Sequence, residues 1–231
     1  MSTLAELAGR WSLHDDQARQ LGVVLELLEQ DQHAPSSVRG EAALDVHAAD
    51  SLTALALDDV RTATAVADIG AGAGFPGIVL AIALPAAAVT LIESVRRKCE
   101  FLERSIEVAG ITNARVVNAR AEDWSAGAGA QDVVTARAVA PLSVLCEYAA
   151  PLLRLDGILV AWKGEVAADE AAAGERAAAL LGLRSEEPVR SAPYAGSVAH
   201  RLYVCRKIAP TPARFPRRAG MARKRPLGGA G

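Results

Sequence analysis

The stretch Val66–Ala81, VADIGAGAGFPGIVLA, sets four glycines and a proline between two apolar runs. Two overlapping glycine frames can be read in it. From Gly72 it spells G-x-G-x-x-G through Gly74 and Gly77, the fingerprint of a dinucleotide-binding turn. From Asp68 it spells apolar-apolar-Asp-x-Gly-x-Gly-x-Gly, which puts its first glycine, Gly70, directly after a short β-branched run. In either frame the reading is strand, glycine turn, helix. Glycine tolerates positive φ and lets backbone approach a ligand with no Cβ in the way, and amides at a helix start favour negative charge.

Outward from this turn the alternation continues. Residues 88–93 (AVTLIE), 114–120 (ARVVNAR), 132–138 (DVVTARA) and 157–164 (GILVAWKG) read as strands. Between them, residues 76–85, 94–110, 142–153 and 165–182 read as helices, with Pro76 suited to a first helical position and Gly110 to a stop. Residues 183–191 and 198–207 close the sheet as a hairpin. Strands alternating with helices of this length imply right-handed βαβ units. The expected fold is therefore α/β, Rossmann-like, with a mostly parallel seven-stranded sheet spanning residues 61–208. Residues 1–60 form a small N-terminal helical extension, marked by Leu21, Val24, Leu25 and Leu28 at helical spacing, with Ser12 or Asp15 as N-cap. Residues 209–231 read as a basic, irregular and flexible tail.

The chain has 231 residues, enough for one sizeable domain. Aromatics make up only 4%, so the core must be built from Leu, Val, Ile and Ala. The net charge of −2 conceals an asymmetry, for Arg206–Gly231 carries +8 with no acid and the remainder carries −10. Cys99, Cys146 and Cys205 are odd in number and far apart, which suits buried thiols in a reducing compartment. The longest apolar run, Ile78–Ile92, is broken by Pro85 and too short to span a bilayer, and no signal pattern opens the chain. A cytoplasmic protein is expected. Four dispersed histidines lack ligand spacing, and no metal site is expected.

Which nucleoside the loop holds turns on the other strand ends. Glu93, 21 positions after Gly72, can accept both hydroxyls of a ribose, as NAD or S-adenosylmethionine would need. RAEDW (residues 120–124) ends the third strand, where Ala121 backbone groups beside the Glu122 acid can hold an adenine, as is common in methyltransferases of this fold. The NAD frame would also require the first strand to run through Gly70. Together these features favour S-adenosylmethionine. Arg137 and Lys163 end the next two strands and face the ligand crevice of an open α/β sheet, toward cofactor or an anionic substrate, or pair with helix acids. His47 and Asp50 share one helical face and either border the site or form a local cap.

The chain resembles the bacterial 16S ribosomal RNA guanine-N7 methyltransferases, the glucose-inhibited division protein B family, over roughly residues 44–227. The resemblance rests on HAADSL (47–52), DIGAGAGFPGIVLAI (68–82), LIESVRRKCEFL (91–102), NARAED (118–123), TARAVAPL (135–142), WKG (162–164) and TPARFPRRAGMARKRPL (211–227). It implies a class I S-adenosylmethionine-dependent methyltransferase in which Gly70, Phe75, Ala121, Glu122 and Arg137 contact the cofactor. Gly72, Gly74 and Glu93 join them on the physical argument above. The implied substrate is one guanine of 16S rRNA, met in the small ribosomal subunit or its assembly intermediate by a monomer. Arg137 and Lys163 are expected in positioning roles. The tail cations Arg214, Arg217, Arg218, Arg223, Lys224 and Arg225 are expected to engage RNA phosphates. Residues 31–46 depart from the family pattern, lacking its Trp-Asn and Asn-Leu-Thr elements. Two other functions fit parts of the sequence: an NAD(P)-dependent oxidoreductase, from the Gly72 frame and Glu93, and a non-catalytic RNA-binding or ribosome-assembly factor on the same fold.

Overall fold

The computed structural model describes residues 2–197 and 200–229. Helix α1 (Leu4–Trp11) starts in a capping box in which Thr3 Oγ1 accepts from the Glu6 amide and Glu6 accepts from the Thr3 amide. Ser12, considered above as an N-cap, instead ends α1 in a left-handed conformation. Helix α2 (Asp15–Gln30) begins after His14, whose amide donates to Gln17 Oε1, so Asp15 is a first-turn residue rather than the cap. Its Leu21, Val24 and Leu28 are buried.

An irregular stretch leads into one continuous helical segment, residues 41–56. It runs as α3 (Glu41–Ala43), a π-helical stretch (Leu44–Ala49), α4 (Asp50–Leu52) and a 3₁₀ turn (Thr53–Ala56). The short helix α5 (Asp58–Arg61) delivers the chain to the sheet.

Strands β1 (Ala65–Ile69), β2 (Ala88–Glu93), β3 (Ala114–Asn118), β4 (Gln131–Arg137) and β5 (Leu153–Lys163) are mutually parallel, in the order β3-β2-β1-β4-β5. Helices α6 (Gly77–Ala83), α7 (Arg96–Ala109), α8 (Leu142–Ala149) and α9 (Ala168–Leu180) make the connections. The strand order reverses between β1 and β4, which is where an open α/β sheet leaves its ligand crevice. Side chains of β1 alternate between two apolar layers: Val66 packs with α2, α6 and α7, while Ala67 and Ile69 pack with α8 and α9.

The far edge differs from a simple hairpin. Strand β8 (Arg201–Lys207) pairs antiparallel with β5, and both β6 (Leu183–Ser185) and β7 (Val189–Arg190) pair with β8. The sixth strand, expected over 183–191, is thus split at Glu186–Pro188, where proline has no amide to give the ladder, and the sheet has eight strands in seven positions. Val198 and Ala199, expected to open the last strand, lie outside the described residues.

The tail is irregular as expected, apart from α10 (Met221–Lys224), but it is packed rather than free. Arg217 forms a double bridge to Glu147, a carboxylate 1% exposed on α8, and Ala222 is buried. Gly220 donates its amide to Glu122 Oε1, and Arg176 reaches the Gly228 carbonyl. A buried carboxylate that needs a cation holds this segment down. Among the described residues, no helix is long and apolar enough to cross a membrane.

Candidate active site

The glycine turn is held from below. Asp68, buried at the end of β1, accepts from the Gly77 amide (3.0 Å) and from Thr135 Oγ1 on β4 (2.8 Å). Burial raises its pKa to about 6 despite those two donors. Gly77 must be glycine, because a Cβ there would sit 2.8 Å from Asp68 Cβ. Gly72 differs: it has φ +58°, and a Cβ would meet only the Gly70 carbonyl at 3.7 Å, so its open side faces the crevice. Its amide donates to Glu93 Oε2 (3.1 Å), while Glu93 Oε1 accepts from Val95 N. The end of β2 and the turn after β1 are therefore joined through one carboxylate.

Three cavities run side by side over the C-terminal ends of the parallel strands. One, of about 340 Å³, lies between Gly70, Glu93, Ala121, Glu122, Tyr148 and Arg223. The next, of about 410 Å³, lies over Gly72 and Phe75 and is walled by His47, Asp50 and Ser36. The third, of about 630 Å³, lies over β4 and β5, among Arg137, Pro141, Trp162, Lys163, Glu170 and His200. Ala138 borders all three, so they adjoin along the strand ends and together outline the crevice. It follows Arg137 with φ +57°, a conformation costing about 1–2 kcal/mol in a residue with a Cβ, and stands where β4 turns toward α8.

Arg137 organises the middle of the crevice. Its guanidinium donates to the Val46 carbonyl (2.9 Å), Asp50 Oδ2 (3.2 Å) and His47 Nδ1 (3.0 Å). Because a guanidinium only donates, His47 Nδ1 must accept, and the ring proton sits on Nε2, facing Ser36 Oγ at 2.8 Å. His47 also stacks on Phe75, with ring centroids 4.4 Å apart. Burial and the Arg137 charge push the His47 pKa down to about 4, so the imidazole is neutral at pH 7. Asp50 receives His200 Nδ1 on its other oxygen (3.1 Å), and its carbonyl accepts from Trp162 Nε1 (2.9 Å).

Most of the residues singled out in the sequence come together here. Gly70, Gly72, Phe75, Glu93, Ala121, Glu122, Arg137 and Lys163 all line the crevice. Gly74 is absent from its lining; a Cβ on it would strike Ile78 Cδ1 at 2.4 Å, so it serves close packing. Lys163 is paired with Glu170 on α9 at 2.8 Å, the helix-acid partnership open to it from the sequence. The tail cations divide. Arg217 is committed to Glu147; Arg223 is exposed but donates to the Val139 carbonyl; Arg214, Arg218, Lys224 and Arg225 are exposed. Ser36, Tyr148 and His200 line the crevice without having been expected there from the sequence, while Ala138 and Trp162 belong to the motifs TARAVAPL and WKG without having been assigned a site role. Ala138 and Trp162, beside the flagged Arg137 and Lys163, carried a local signal; the other three did not. Among the described residues no cluster of His, Cys, Asp or Glu could hold a metal ion.

The residues present fit S-adenosylmethionine. The open side of Gly72 admits close backbone approach, Glu93 offers acceptor oxygens at the nucleoside position, and Ala121–Glu122 closes the far wall. Fold and site together define a class I S-adenosylmethionine-dependent methyltransferase. The same fold appears in a solved MtNAS variant in complex with S-adenosylmethionine (TM-score 0.56, 17% identity, covering 89% of this chain and 78% of that one). It also appears in a 16S rRNA (adenine(1408)-N(1))-methyltransferase from Catenulisporales acidiphilia (TM-score 0.54, 13% identity, covering 67% and 89%).

Residues 25–192 match the family model GidB, rRNA small subunit methyltransferase G. The chain is similar to the ribosomal RNA small subunit methyltransferase G of Rubrobacter xylanophilus, 44% identical over 83% of this chain and 76% of that one. It is also similar to that of Chloroflexus aggregans, 46% identical over 73% and 72%. The chain belongs to the GidB family. The oxidoreductase and the non-catalytic factor considered from sequence find no support in these matches.

Proposed function

We propose that the protein methylates N7 of a guanine in 16S ribosomal RNA, acting as a monomer on the small subunit or its assembly intermediate. The observation that carries this reading is that the cavities at the Gly72–Glu93 cradle adjoin, at Ala138, the cavity over β4 and β5. Family membership and the names of the relatives supply the substrate.

When bound, S-adenosylmethionine supplies an activated methyl group. The chain's own residues have then to bind, orient and exclude water. Glu93 is placed to accept the ribose hydroxyls, the open side of Gly72 to admit the amino-acid group against the turn, and Ala121–Glu122 to hold the adenine. The guanine occupies the cavity bounded by Trp162, Pro141 and Lys163, with Lys163 steadying it. Guanine N7 bears a lone pair and no proton, so no residue has to remove one before the bond forms. The site agrees with this requirement: its acids are held by cations or donors, and His47 is neutral with both nitrogens engaged. Catalysis then rests on holding the reacting atoms in near-attack geometry, an effect of about 7–11 kcal/mol in favourable cases. Arg137 is a positioning residue, fixing the π-helical segment against Phe75 and the crevice. The domain roles follow: residues 61–208 carry the methyltransferase core, and 1–60 shape its substrate side.

Titration calorimetry tests the cofactor half of the reading. S-adenosylhomocysteine should bind and NAD(P)H should not; the reverse result would overturn it. Transfer of labelled methyl to small subunits from cells lacking the gene tests the other half, and absence of transfer to any subunit preparation would refute it.

A further inference from the structure

The tail was expected to serve RNA alone, but one part of it forms a wall of the cavity beside Glu93. Arg223 lines that cavity together with Glu93, Glu122 and Tyr148, and donates to the Val139 carbonyl at 2.9 Å. The segment carrying it is anchored at two further points. Arg217 clamps the buried Glu147, and the Gly220 amide donates to Glu122 Oε1 at 2.9 Å, so the acid of the Ala121–Glu122 wall is oriented by the tail itself. Arg217 reaches the buried Glu147 and Arg223, although exposed, reaches back to the Val139 carbonyl, while Arg218, Lys224 and Arg225 are exposed.

We propose that Arg223 is a cofactor-binding residue and that residues 217–225 form a strap completing the adenosine side of the S-adenosylmethionine site. The inference rests on the cofactor reading above. Position decides which part of the cofactor Arg223 meets. It stands with Ala121, Glu122 and Tyr148, away from the open side of Gly72 where the amino-acid carboxylate would lie. A planar guanidinium there can lie against the adenine ring while keeping its bond to Val139, a contact that arginine makes and lysine does not reproduce.

The test uses full-length protein and two probes: S-adenosylhomocysteine, and 5′-methylthioadenosine, which keeps the adenosine and lacks the amino-acid group. Titration calorimetry of Arg223→Ala should show both probes binding about tenfold more weakly, by the same factor, with Arg223→Lys restoring little. Arg223 is exposed and clamps no buried acid, so the melting temperature without ligand should stay at the wild-type value. Glu93→Ala serves as the reference for the site and should weaken both probes. If Arg223→Ala binds both within twofold of wild type while Glu93→Ala does not, the strap inference is overturned and the cofactor site stands. If S-adenosylhomocysteine alone weakens, the adenosine assignment is overturned. If neither variant affects either probe, the cofactor reading itself fails.

Discussion

At the scale of single residues the site is built on backbone amides answered by carboxylates. Gly72 shows the logic most plainly, since its amide is bonded to Glu93 and its open side faces the crevice. Gly72→Asp would place a carboxylate in that opening, on a backbone with φ +58°, beside Glu93 and in the place proposed for the cofactor carboxylate. S-adenosylhomocysteine affinity should fall more than 100-fold in titration calorimetry; wild-type affinity would remove the loop from the site. His47 makes a second prediction, on pH. Its pKa is about 4 in the fold and 6.5 as the unperturbed value, so the unfolded chain binds more protons between those limits. The stability His47 confers is whole above pH 6.5 and is lost as pH falls toward 4. Asp68, raised to about 6, works in the opposite sense over much of that window, so the wild-type profile alone would mask the effect. The difference in unfolding free energy between wild type and His47→Gln isolates it and should shrink by about 2 kcal/mol from pH 7 to pH 5. A difference independent of pH would contradict a buried, neutral His47. Glu93 and Gly72 were legible in the sequence because a strand end and a glycine turn are local signals. The partnership of His47 with Arg137 was not, because it joins residues 90 positions apart through a π-helical stretch that no spacing rule announces.

At the scale of elements the parallel strands were read closely, and the misreadings fall where tertiary contacts override local pattern. The strand AVTLIE has the bounds Ala88–Glu93 in both readings, since an apolar β-branched run between turn residues leaves little choice. The segment 183–191 reads as one strand but is interrupted before Pro188, and both of its pieces pair with β8. Residues 31–46 depart from the family pattern, yet Ser36 reaches His47 and the Val46 carbonyl accepts from Arg137, so this segment contributes to the crevice wall. The clamp between tail and α8 gives a prediction about stability. Arg217→Ala strands Glu147 as a buried, unpaired carboxylate and should cost about 3 kcal/mol in urea denaturation. Arg218→Ala, one position on and exposed, should change stability by less than about 0.5 kcal/mol. Equal effects of the two substitutions would show that the tail is not held by this pair.

At the scale of the whole molecule, charge and fold divide the labour. The acidic body carries the crevice, and the basic tail crosses one wall of it with Arg218, Lys224 and Arg225 turned outward. A run of cations in the sequence signals anionic partners but cannot say which of them are already committed within the fold, because Arg217 and Glu147 are 70 positions apart. With those three outward cations changed to alanine, the slope of log affinity for small-subunit RNA against log salt should flatten by about 2. An unaltered slope would mean that they touch no phosphates. The central claim is that the crevice delivers a methyl group to guanine N7 in 16S rRNA. Its most direct test maps methylation in 16S rRNA from small subunits of a strain lacking the gene, after incubation with purified protein and S-adenosylmethionine. Nuclease digestion and mass spectrometry should find one new 7-methylguanosine in 16S rRNA, absent when Gly72→Asp protein is used; a methyl group on any other atom or base, or none at all, would contradict it.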